Sequence, residues 1–398
     1  MKALSDLIVI DLTHMLSGPY GAMLLSDLGA RTIKVEPLGG ENTRTLLRND
    51  ADFSLDGMGA YFLTLNRGKE SVCIDLKQPE GKAVFFDLVR QADVVVDNFS
   101  VGVTTKLGID HNALMKVNPR IVTCSITGFG QTGPAINRPA FDQVVQGMGG
   151  GMSITGDEGQ PPLRSGIPIG DLGGGVFGAL GVLAALRARD RTGQGQHVDI
   201  SMLDAQISLL NYMATMYLMS NKLPERVGNG HFVHVPYNTY PTSDGHIIIA
   251  CIGDNFYERV IDVFDDPELR DPAYKSQPGR YANKAKIDAI LARHLQTNTT
   301  QCWLDRLNEA RIPCAPVNNF AQALSDPQIR ARNMVVEVPL HSGKRVSMPG
   351  NPVKIGQDAA DAYTSPPTLG AHTETVLHQL LGYDPQHIAQ LREHGVIG

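Results

Sequence analysis

The chain of 398 residues has few aromatic residues, only five cysteines and no excess of positive charge. Its formal net charge of −6 gives no overall attraction for nucleic acid or for an anionic membrane. The cysteines have no metal-type spacing and several lie in apolar runs, so we expect reduced core thiols and no bound metal. The apolar run at the N-terminus is too short for a signal peptide, and we expect no run to approach a membrane span. These absences favour a cytoplasmic protein with neither nucleic acid nor membrane as a partner.

Apolar residues make up 42% of the chain, which is ample for a core, and the length allows two domains or one elaborated one. The apolar run Leu7–Leu12 predicts a strand that is buried on both faces. A helix from Gly18 to Gly29 and a strand at Arg31–Glu36 follow, with the βαβ spacing of a parallel sheet. Further strands (Ser71–Leu76, Asp93–Asp97, Arg120–Ile126) and helices (Pro79–Ala92, Ile109–Val117) are predicted in order. The first ~200 residues therefore indicate a doubly wound α/β domain with its site in the loops after the strands.

A Met- and Leu-rich helix, Ser201–Ser220, is predicted next as core or subunit interface. A second, smaller domain is predicted to start near Pro236. It comprises a strand at His246–Ile252 and helices near 256–264, 284–296 and 300–310. A helix at Phe320–Ser325, a strand at Val335–Leu340 and a terminal helix at Thr373–Leu381 follow.

One carboxylate, Asp171, lies between a β-type run, Ile167–Ile169, and the glycine cluster Gly173–Gly175. A small-residue helix is predicted from about Val176 to Arg187. Asp171 is therefore expected where a strand ends and a helix begins, among unpaired N–H groups that would keep it ionised. The simpler interpretation is that Asp171 only caps this helix.

The same stretch also matches the dinucleotide fingerprint, with glycines at 173, 175 and 178 and an acidic residue, Asp199, about twenty residues on. Asp171 counts against this interpretation, because a fixed negative charge would repel a pyrophosphate. A nicotinamide-dependent dehydrogenase stays an alternative, which detectable NADH binding would reveal.

Several segments together resemble the family III CoA-transferases, which include formyl-CoA transferase and the carnitine and bile-acid CoA-transferases. The matching segments, in chain order, are Ile8–Glu36, Thr64–Lys77, Asp93–Val103, Ser125–Pro134, Pro168–Leu186, Thr192–Ala205 and Pro366–Leu377. Ser125–Pro134 and Val235–Gly245 look most like the succinyl-CoA-dependent transferases that act on short dicarboxylates.

The resemblance implies an α/β fold with a Rossmann-like large domain, residues 1–220 and 326–398, completed by both chain ends. A smaller α+β domain, residues 221–325 with linkers, lies between them in sequence. The resemblance also implies a homodimer whose subunits interlock, with sites between them. Asp171 falls at the position of the catalytic aspartate, which makes it a nucleophile with capping as a by-product.

This chemistry moves CoA from an acyl-CoA, such as succinyl-CoA, to a carboxylic acid through acyl and CoA adducts of the aspartate. It requires no ATP or metal, and no cofactor beyond CoA and acyl-CoA as substrates. Each tetrahedral intermediate needs N–H donors, for which Gly173, Gly174, Gly228, Gly230 and His231 are candidates. Members with formyl-CoA activity carry a poly-glycine loop near this second position, where this chain has Phe232–His234.

The family motifs place CoA contacts in the strand-end loops. The residues concerned are Met15, Leu16, Ser17, Asn66, Lys69, Asn98, Phe99, Ser100, Lys106, Thr127, Gly128, Phe129 and Gly130. Lys69 and Lys106 would meet phosphates as point charges, although each could be an ordinary solvated lysine. Pro37 replaces an arginine of many members, so an adenine contact is missing or comes from Arg44. Arg44, Arg138 and Arg164 are candidates for holding a distal substrate carboxylate.

The main alternative is α-methylacyl-CoA racemase, which has the same fold and uses an opposed His and Asp. The aligned stretch here is Ala140–Gln143, and Phe141 cannot accept a proton. His14, His231 or His234 would have to substitute for the missing base. A non-enzymatic CoA-binding protein is a further alternative, disfavoured because a binder gains nothing from an anion beside the thioester.

Overall fold

The computed structural model describes residues 2–356 and 363–398. Within these ranges the strands are β1 Ile8–Asp11, β2 Arg31–Glu36, β3 Ser54–Leu55, β4 Met58–Gly59, β5 Lys69–Cys73, β6 Val94–Asp97, β7 Val122–Thr127, β8 His197–Ser201, β9 Tyr237–Pro241, β10 His246–Ala250, β11 Cys314–Pro316, β12 Val335–Pro339 and β13 Arg345–Pro349. The α-helices are α1 Ser17–Asp27, α2 Ala60–Asn66, α3 Pro79–Gln91, α4 Val103–Leu107, α5 His111–Val117, α6 Asp142–Met148, α7 Gly151–Ile154, α8 Ile169–Thr192, α9 Met202–Leu210, α10 Tyr212–Ser220, α11 Asp254–Phe264, α12 Gln277–Ala282, α13 Lys284–Leu295, α14 Thr300–Glu309, α15 Phe320–Ser325, α16 Pro327–Ala331, α17 Thr373–Leu381 and α18 Pro385–Glu393. Short 3₁₀ helices occur at Asn42–Arg44, Pro267–Arg270 and Pro272–Tyr274.

The central feature is a six-stranded sheet in the order β5-β2-β1-β6-β7-β8, in which all neighbouring strands are parallel. Its apolar strands are buried on both faces, as their continuous apolar runs predicted. The strand order reverses between β1 and β6, and in such a sheet ligands bind outside the carboxyl ends at this switch point. The predicted mixed α/β fold with a parallel sheet is confirmed.

Helix α8 differs from its prediction. The run Ile167–Ile169 forms no strand, and the helix begins at Ile169 instead of near Val176. The glycine cluster Gly173–Gly175 therefore lies inside the helix and not before its start, where the sequence predicts it. The predicted helix Ser201–Ser220 is also interrupted, because Asn211 has a φ of 48° between α9 and α10.

The glycines of α8 allow it to lie close against α1. A Cβ on Gly175 would lie 2.6 Å from the carbonyl oxygen of Ser17, and one on Gly21 would lie 2.9 Å from that of Gly175. A Cβ on Gly178 would lie 2.6 Å from Ile126 of β7. A side chain at Gly21 or Gly175 would separate the backbones of the two helices, so the contact of α1 with α8 requires glycine at these positions.

Helix α8 is also long and apolar enough, by length and composition alone, to cross a membrane. The expectation that no run approaches a membrane span was therefore wrong by that measure. Half of its most apolar stretch is buried within the protein, which is common for a core helix.

The C-terminal residues pair with the edge strand β5. Ile397 forms an antiparallel bridge with Ile74, and the N–H of Gly398 donates to the carbonyl oxygen of Cys73. The Oγ1 of Thr373 accepts from the N–H of Cys73 at 3.1 Å. These contacts cover an edge that would otherwise present unpaired backbone groups.

The chain divides into two compact units. The first comprises Met1–Gly151, Arg164–Met219 and Pro327–Gly398, and the second Met152–Leu163 and Ser220–Asp326. The second unit has an antiparallel sheet in the order β11-β10-β9 and its own apolar core around Ile247, Leu291 and Trp303. The predicted domain boundaries stay a prediction.

Candidate active site

A cleft of about 370 Å³ opens at the switch point of the parallel sheet, within the first unit. Its walls are the loops after β1, β6 and β7 together with the start of α8. Many of the residues that we predicted for the site line it: Met15, Leu16, Ser17, Asn98, Phe99, Ser100, Thr127, Gly128, Phe129, Arg138 and Asp171. Gly130 lies beside this set, and its N–H donates to Thr127 Oγ1 at 2.9 Å.

The cleft's shape is held by bonds across the switch point. Asn98 accepts from the N–H of His14 at 2.9 Å and donates to the carbonyl oxygen of His14 at 2.7 Å. The next residue, Met15, has a φ of 64°, which is uncommon for a side chain other than glycine and turns the chain sharply into α1. Asn98 therefore fixes the loop that leads to the N-terminal end of α1.

Asp171 lies in the first turn of α8, but it does not cap that helix. The capping carboxylate is Asp142, whose Oδ1 accepts from the N–H of Gly170 at 2.8 Å and more weakly from that of Asp171 at 3.4 Å. Gln146 donates to the other oxygen of Asp142 at 2.7 Å. The Asp171 carboxylate itself has no hydrogen bond to the residues that the structure describes, so it is available to a substrate.

Burial, with a smaller contribution from the nearby Asp142 carboxylate, raises the pKa of Asp171 from 3.8 to about 6. We had expected the helix N-terminus to dominate and keep this group ionised. The carboxylate of Asp142 already accepts the hydrogen bond at the start of the helix, and its negative charge repels that of Asp171. At pH 7 about nine-tenths of such a group is still ionised and able to act as a nucleophile.

Two residues that interact electrostatically with Asp171 were missed by the sequence interpretation. Tyr61 lines the cleft, and burial followed by the charges of Asp171, Glu41 and Asp142 raises its pKa to about 12. Tyr61 adjoins the buried pair Phe62 and Leu63 of α2, and no sequence pattern links it to the distant Asp171. Asp142 is the second, and no local pattern in the sequence connects it with α8.

The two oxyanion candidates in α8, Gly173 and Gly174, do not fit that role in this conformation. Gly173 and Gly174 lie beyond the first turn of α8, where backbone N–H groups pair with carbonyls four residues earlier. Gly174 allows close packing instead, since a Cβ there would lie 2.6 Å from Ser17 Oγ. The dinucleotide interpretation fails as well, because its first two glycines belong to the turn before a helix, whereas Gly173 and Gly175 lie inside α8.

The predicted loop donors in the second unit are also already paired. The N–H of Gly228 donates to Gly156, that of Gly230 to Val227, and that of His231 to Tyr237. The Nδ1 of His231 accepts backbone bonds from Val233 and His234, and burial lowers the pKa of the imidazole. In this conformation these groups organise their own loop.

Lys69 is buried beneath the cleft, contrary to its predicted phosphate contact. Its Nζ donates to Asp11 at 2.8 Å, to the carbonyl of Pro19 at 3.2 Å and to Asn66 at 3.1 Å. Burial lowers the pKa of Lys69 to about 8. Lys69 and Asn66 therefore support the fold under the α1 loop, whereas Lys106 is exposed on α4.

The three arginines predicted to hold a substrate carboxylate differ in their partners and in their distance from the cleft. Arg44 is committed to Glu36, with two bonds of 2.6 Å from its guanidinium, so it is not free for a substrate carboxylate or for adenine. Arg164 is exposed and donates to the carbonyl of Ser165 at 3.1 Å. Arg138 lines the cleft and lies over the ring of Phe129 at 5.1 Å, which leaves it the best placed of the three.

At the position where a racemase of this fold would have its histidine, Phe141 lines the cleft and is 69% exposed. His14 also lies in the cleft, but burial lowers the pKa of its imidazole and Asn98 holds its backbone. The cleft therefore offers one carboxylate beside hydroxyl and amide groups, and its geometry suits nucleophilic attack more than two-base proton exchange.

Comparisons with known proteins agree over almost the whole chain. Residues 4–373 match the family described as CoA-transferase family III. The chain is 43% identical to an acetyl-CoA:oxalate CoA-transferase from Acetobacter aceti, over 88% of each chain. It is 33% identical to a human succinyl-CoA:glutarate CoA-transferase over 100% of this chain and 90% of that one. It is 37% identical to a succinyl-CoA:mesaconate CoA-transferase from Haloarcula hispanica over 95% of this chain and 96% of that one. A crystal structure of a CAIB/BAIF family protein from Brucella suis superposes with a TM-score of 0.85 at 35% identity, covering 95% of this chain and 99% of that one.

Proposed function

Because the chain belongs to CoA-transferase family III, we propose that it moves CoA from an acyl-CoA to a short-chain carboxylic or dicarboxylic acid through a covalent intermediate at Asp171. Succinyl-CoA is the expected donor, and CoA and acyl-CoA are substrates with no permanently bound cofactor. The observation that carries the proposal is the Asp171 carboxylate, unpaired among the described residues, in the cleft where a sheet of this topology binds ligands.

The reaction follows from this carboxylate. An Asp171 oxygen attacks the thioester carbonyl, a C–O bond forms and the C–S bond breaks, giving a mixed anhydride and CoA thiolate. The thiolate then attacks the carbonyl carbon of Asp171, which releases the donor acid and leaves an aspartyl-CoA thioester. The acceptor carboxylate repeats the two steps in reverse order, so the thioester energy is conserved.

The relatives support dicarboxylates as acceptors, since their names include oxalate, glutarate and mesaconate. Arg138 is the guanidinium in the cleft and would hold the distal carboxylate of such an acid in a bidentate pair. The loops around Asn98–Ser100 and Thr127–Gly130 would hold CoA, with exposed Lys106 meeting a phosphate. We expect the protein to act in the cytoplasm.

We also propose a homodimer, with the interlocked arrangement that the family resemblance implies. Helix α10 is composed mainly of apolar residues, yet none of its residues is buried in the single chain. Leu218 is 76% exposed and Met219 is 82% exposed, while Leu180 on α8 is also open to solvent. A second copy of the chain is the occupant that would remove this surface from water.

An acyl-CoA exchange assay with detection by mass spectrometry tests the function. Wild type, Asp171→Asn and Asp190→Asn meet succinyl-CoA or acetyl-CoA with a panel of C2 to C6 acids that includes oxalate, glutarate and mesaconate. Asp190 is an exposed aspartate near the other end of the same helix and serves as the matched control. We expect new acyl-CoA species with wild type and Asp190→Asn and none with Asp171→Asn. Hydroxylamine should trap the aspartyl adduct on a peptide that contains residue 171.

Activity of Asp171→Asn equal to that of wild type would refute the covalent mechanism. If wild type exchanges no CoA, deuterium incorporation at the α-carbon of a branched acyl-CoA would indicate the racemase chemistry instead. These outcomes separate the two reactions that this fold supports.

A further inference from the structure

The N-terminal end of α1 carries hydrogen-bond donors that the fold leaves unused. The residue before the helix, Leu16, supplies no side-chain cap, and Pro19 has no N–H. Within residues 2–356 and 363–398, the backbone N–H groups of Ser17 and Gly18 donate to no protein atom. Such groups at the start of an 11-residue helix attract negative charge.

The side chain of Ser17 provides an independent observation. Ser17 is only 3% exposed, it lines the cleft, and its Oγ has no hydrogen-bond partner among the described residues. A buried hydroxyl without a partner costs roughly 1–3 kcal/mol. Such a group is expected to find its partner in a ligand.

The position of this hydroxyl relative to the nucleophile follows from helix geometry. Ser17 Oγ lies 2.6 Å from the place where a Cβ of Gly174 would be. Gly174 follows Asp171 by three residues in α8, and residues three apart share a helix face. The hydroxyl and the N-terminal end of α1 therefore lie beside the turn that carries the nucleophile, and only a glycine at 174 leaves room for them.

We propose that the Ser17 hydroxyl, together with the unpaired N–H groups of α1, stabilises the oxyanion of each tetrahedral intermediate. This inference rests on the proposed function. When Asp171 attacks the thioester carbonyl, the C–O bond forms and an electron pair moves onto the carbonyl oxygen, which accepts hydrogen bonds from these donors. When the pair returns, the C–S bond breaks and the thiolate leaves, while Ser17 keeps its proton throughout.

The test compares Ser17→Ala with Ser26→Ala. Ser26 is a second buried serine of α1, but its hydroxyl donates to the carbonyl oxygen of Gly68 at 3.1 Å. For Ser17→Ala we expect kcat to fall about 10- to 100-fold with every donor and acceptor, with little change in KM. Its melting temperature should stay equal or rise, because an unpaired hydroxyl is removed. For Ser26→Ala we expect the reverse pattern, a lower melting temperature and an unchanged kcat.

Retention of wild-type kcat by Ser17→Ala would overturn the inference. An effect confined to the KM of the acceptor acid would also overturn it, because the hydroxyl would then bind the acceptor carboxylate. Ser17→Cys, which keeps a weak donor of similar size, should be intermediate and provides a second variant if Ser17→Ala folds poorly. Asp171→Asn is assayed in parallel. An inactive Asp171→Asn with an unaffected Ser17→Ala removes only this inference, whereas an active Asp171→Asn removes the proposed function itself.

Discussion

Replacing Asp142 by Asn should shift the acid limb of the pH–rate profile to lower pH. The nucleophile must be ionised, so kcat/KM of wild type should rise with pH through a midpoint near the raised pKa of Asp171, about 6. Asparagine can still accept the bond from the N–H of Gly170 but carries no charge. Burial still acts on Asp171 in the variant, so the midpoint should lie between 3.8 and about 6. A fall of about one pKa unit would raise the ionised fraction at pH 5 from about one-tenth to about one-half, a roughly fivefold gain relative to the plateau.

The assay is kcat/KM for one acyl-CoA donor between pH 4.5 and 8, with the same substrate for every variant so that ionisations of the substrate cancel. Asp190→Asn, which changes the net charge equally, should keep the wild-type midpoint. A wild-type midpoint near 4 would refute the reasoning, as would an Asp142→Asn profile that keeps the wild-type midpoint.

The same pKa also predicts a change in stability. The folded protein holds the proton of Asp171 more tightly than the unfolded chain, so this group lowers stability as pH rises from 3.8 to about 6. Asp171→Asn should therefore stabilise the fold at pH 7 by about 1–2 kcal/mol, a discounted figure because the carboxylate faces an open cleft. Chemical denaturation at pH 7 and pH 4 measures this, and the gain should vanish at pH 4. An equal gain at both values would mean that packing and not charge is responsible.

Three further predictions concern packing, a buried charge and the surface. Gly175→Ala should destabilise the fold by about 1–3 kcal/mol in thermal denaturation, since its Cβ would lie 2.6 Å from a backbone oxygen of α1. Gly173→Ala is the control and should be neutral or stabilising, because its Cβ would meet only side-chain atoms, at 3.3 Å or more. Lys69→Met should cost about 3–5 kcal/mol in urea unfolding because it leaves a buried aspartate short of a partner, while Lys106→Met on the surface should change little. Leu218→Glu should convert the proposed dimer to a monomer in light scattering, and a variant that stays dimeric would contradict the proposed place of α10 in the interface.

The sequence predicts the elements of the sheet well, because their information is local. The run Arg31–Glu36 is both the predicted and the observed strand, and helices Phe320–Ser325 and Thr373–Leu381 agree as well. The loops after the strands were expected to form the site, and the cleft does lie there. Periodicity and topology rules are sufficient for these features.

Features that depend on distant partners could not be predicted. The glycine run in α8 predicts a break before the helix. Its presence inside the helix is explained only by the close contact with α1, which lies about 150 residues earlier in the sequence. The sequence predicts Lys69 as a phosphate ligand, but its partner in the structure is Asp11, which lies 58 residues away in sequence. Arg44 is likewise committed to Glu36. A charged side chain in a loop gives no local sign of whether it is paired.

The pairing of Cys73 and Ile74 with Gly398 and Ile397 has a consequence for synthesis and for engineering. While the chain emerges from the ribosome, β5 can join the sheet early, but its outer edge stays open until the segment around Thr373 and then residues Ile397 and Gly398 are available. During that interval the nascent protein exposes a strand edge that other chains can join. An affinity tag fused directly to residue 398 would compete for the same edge, so a tag at the N-terminus is the safer choice for producing this enzyme.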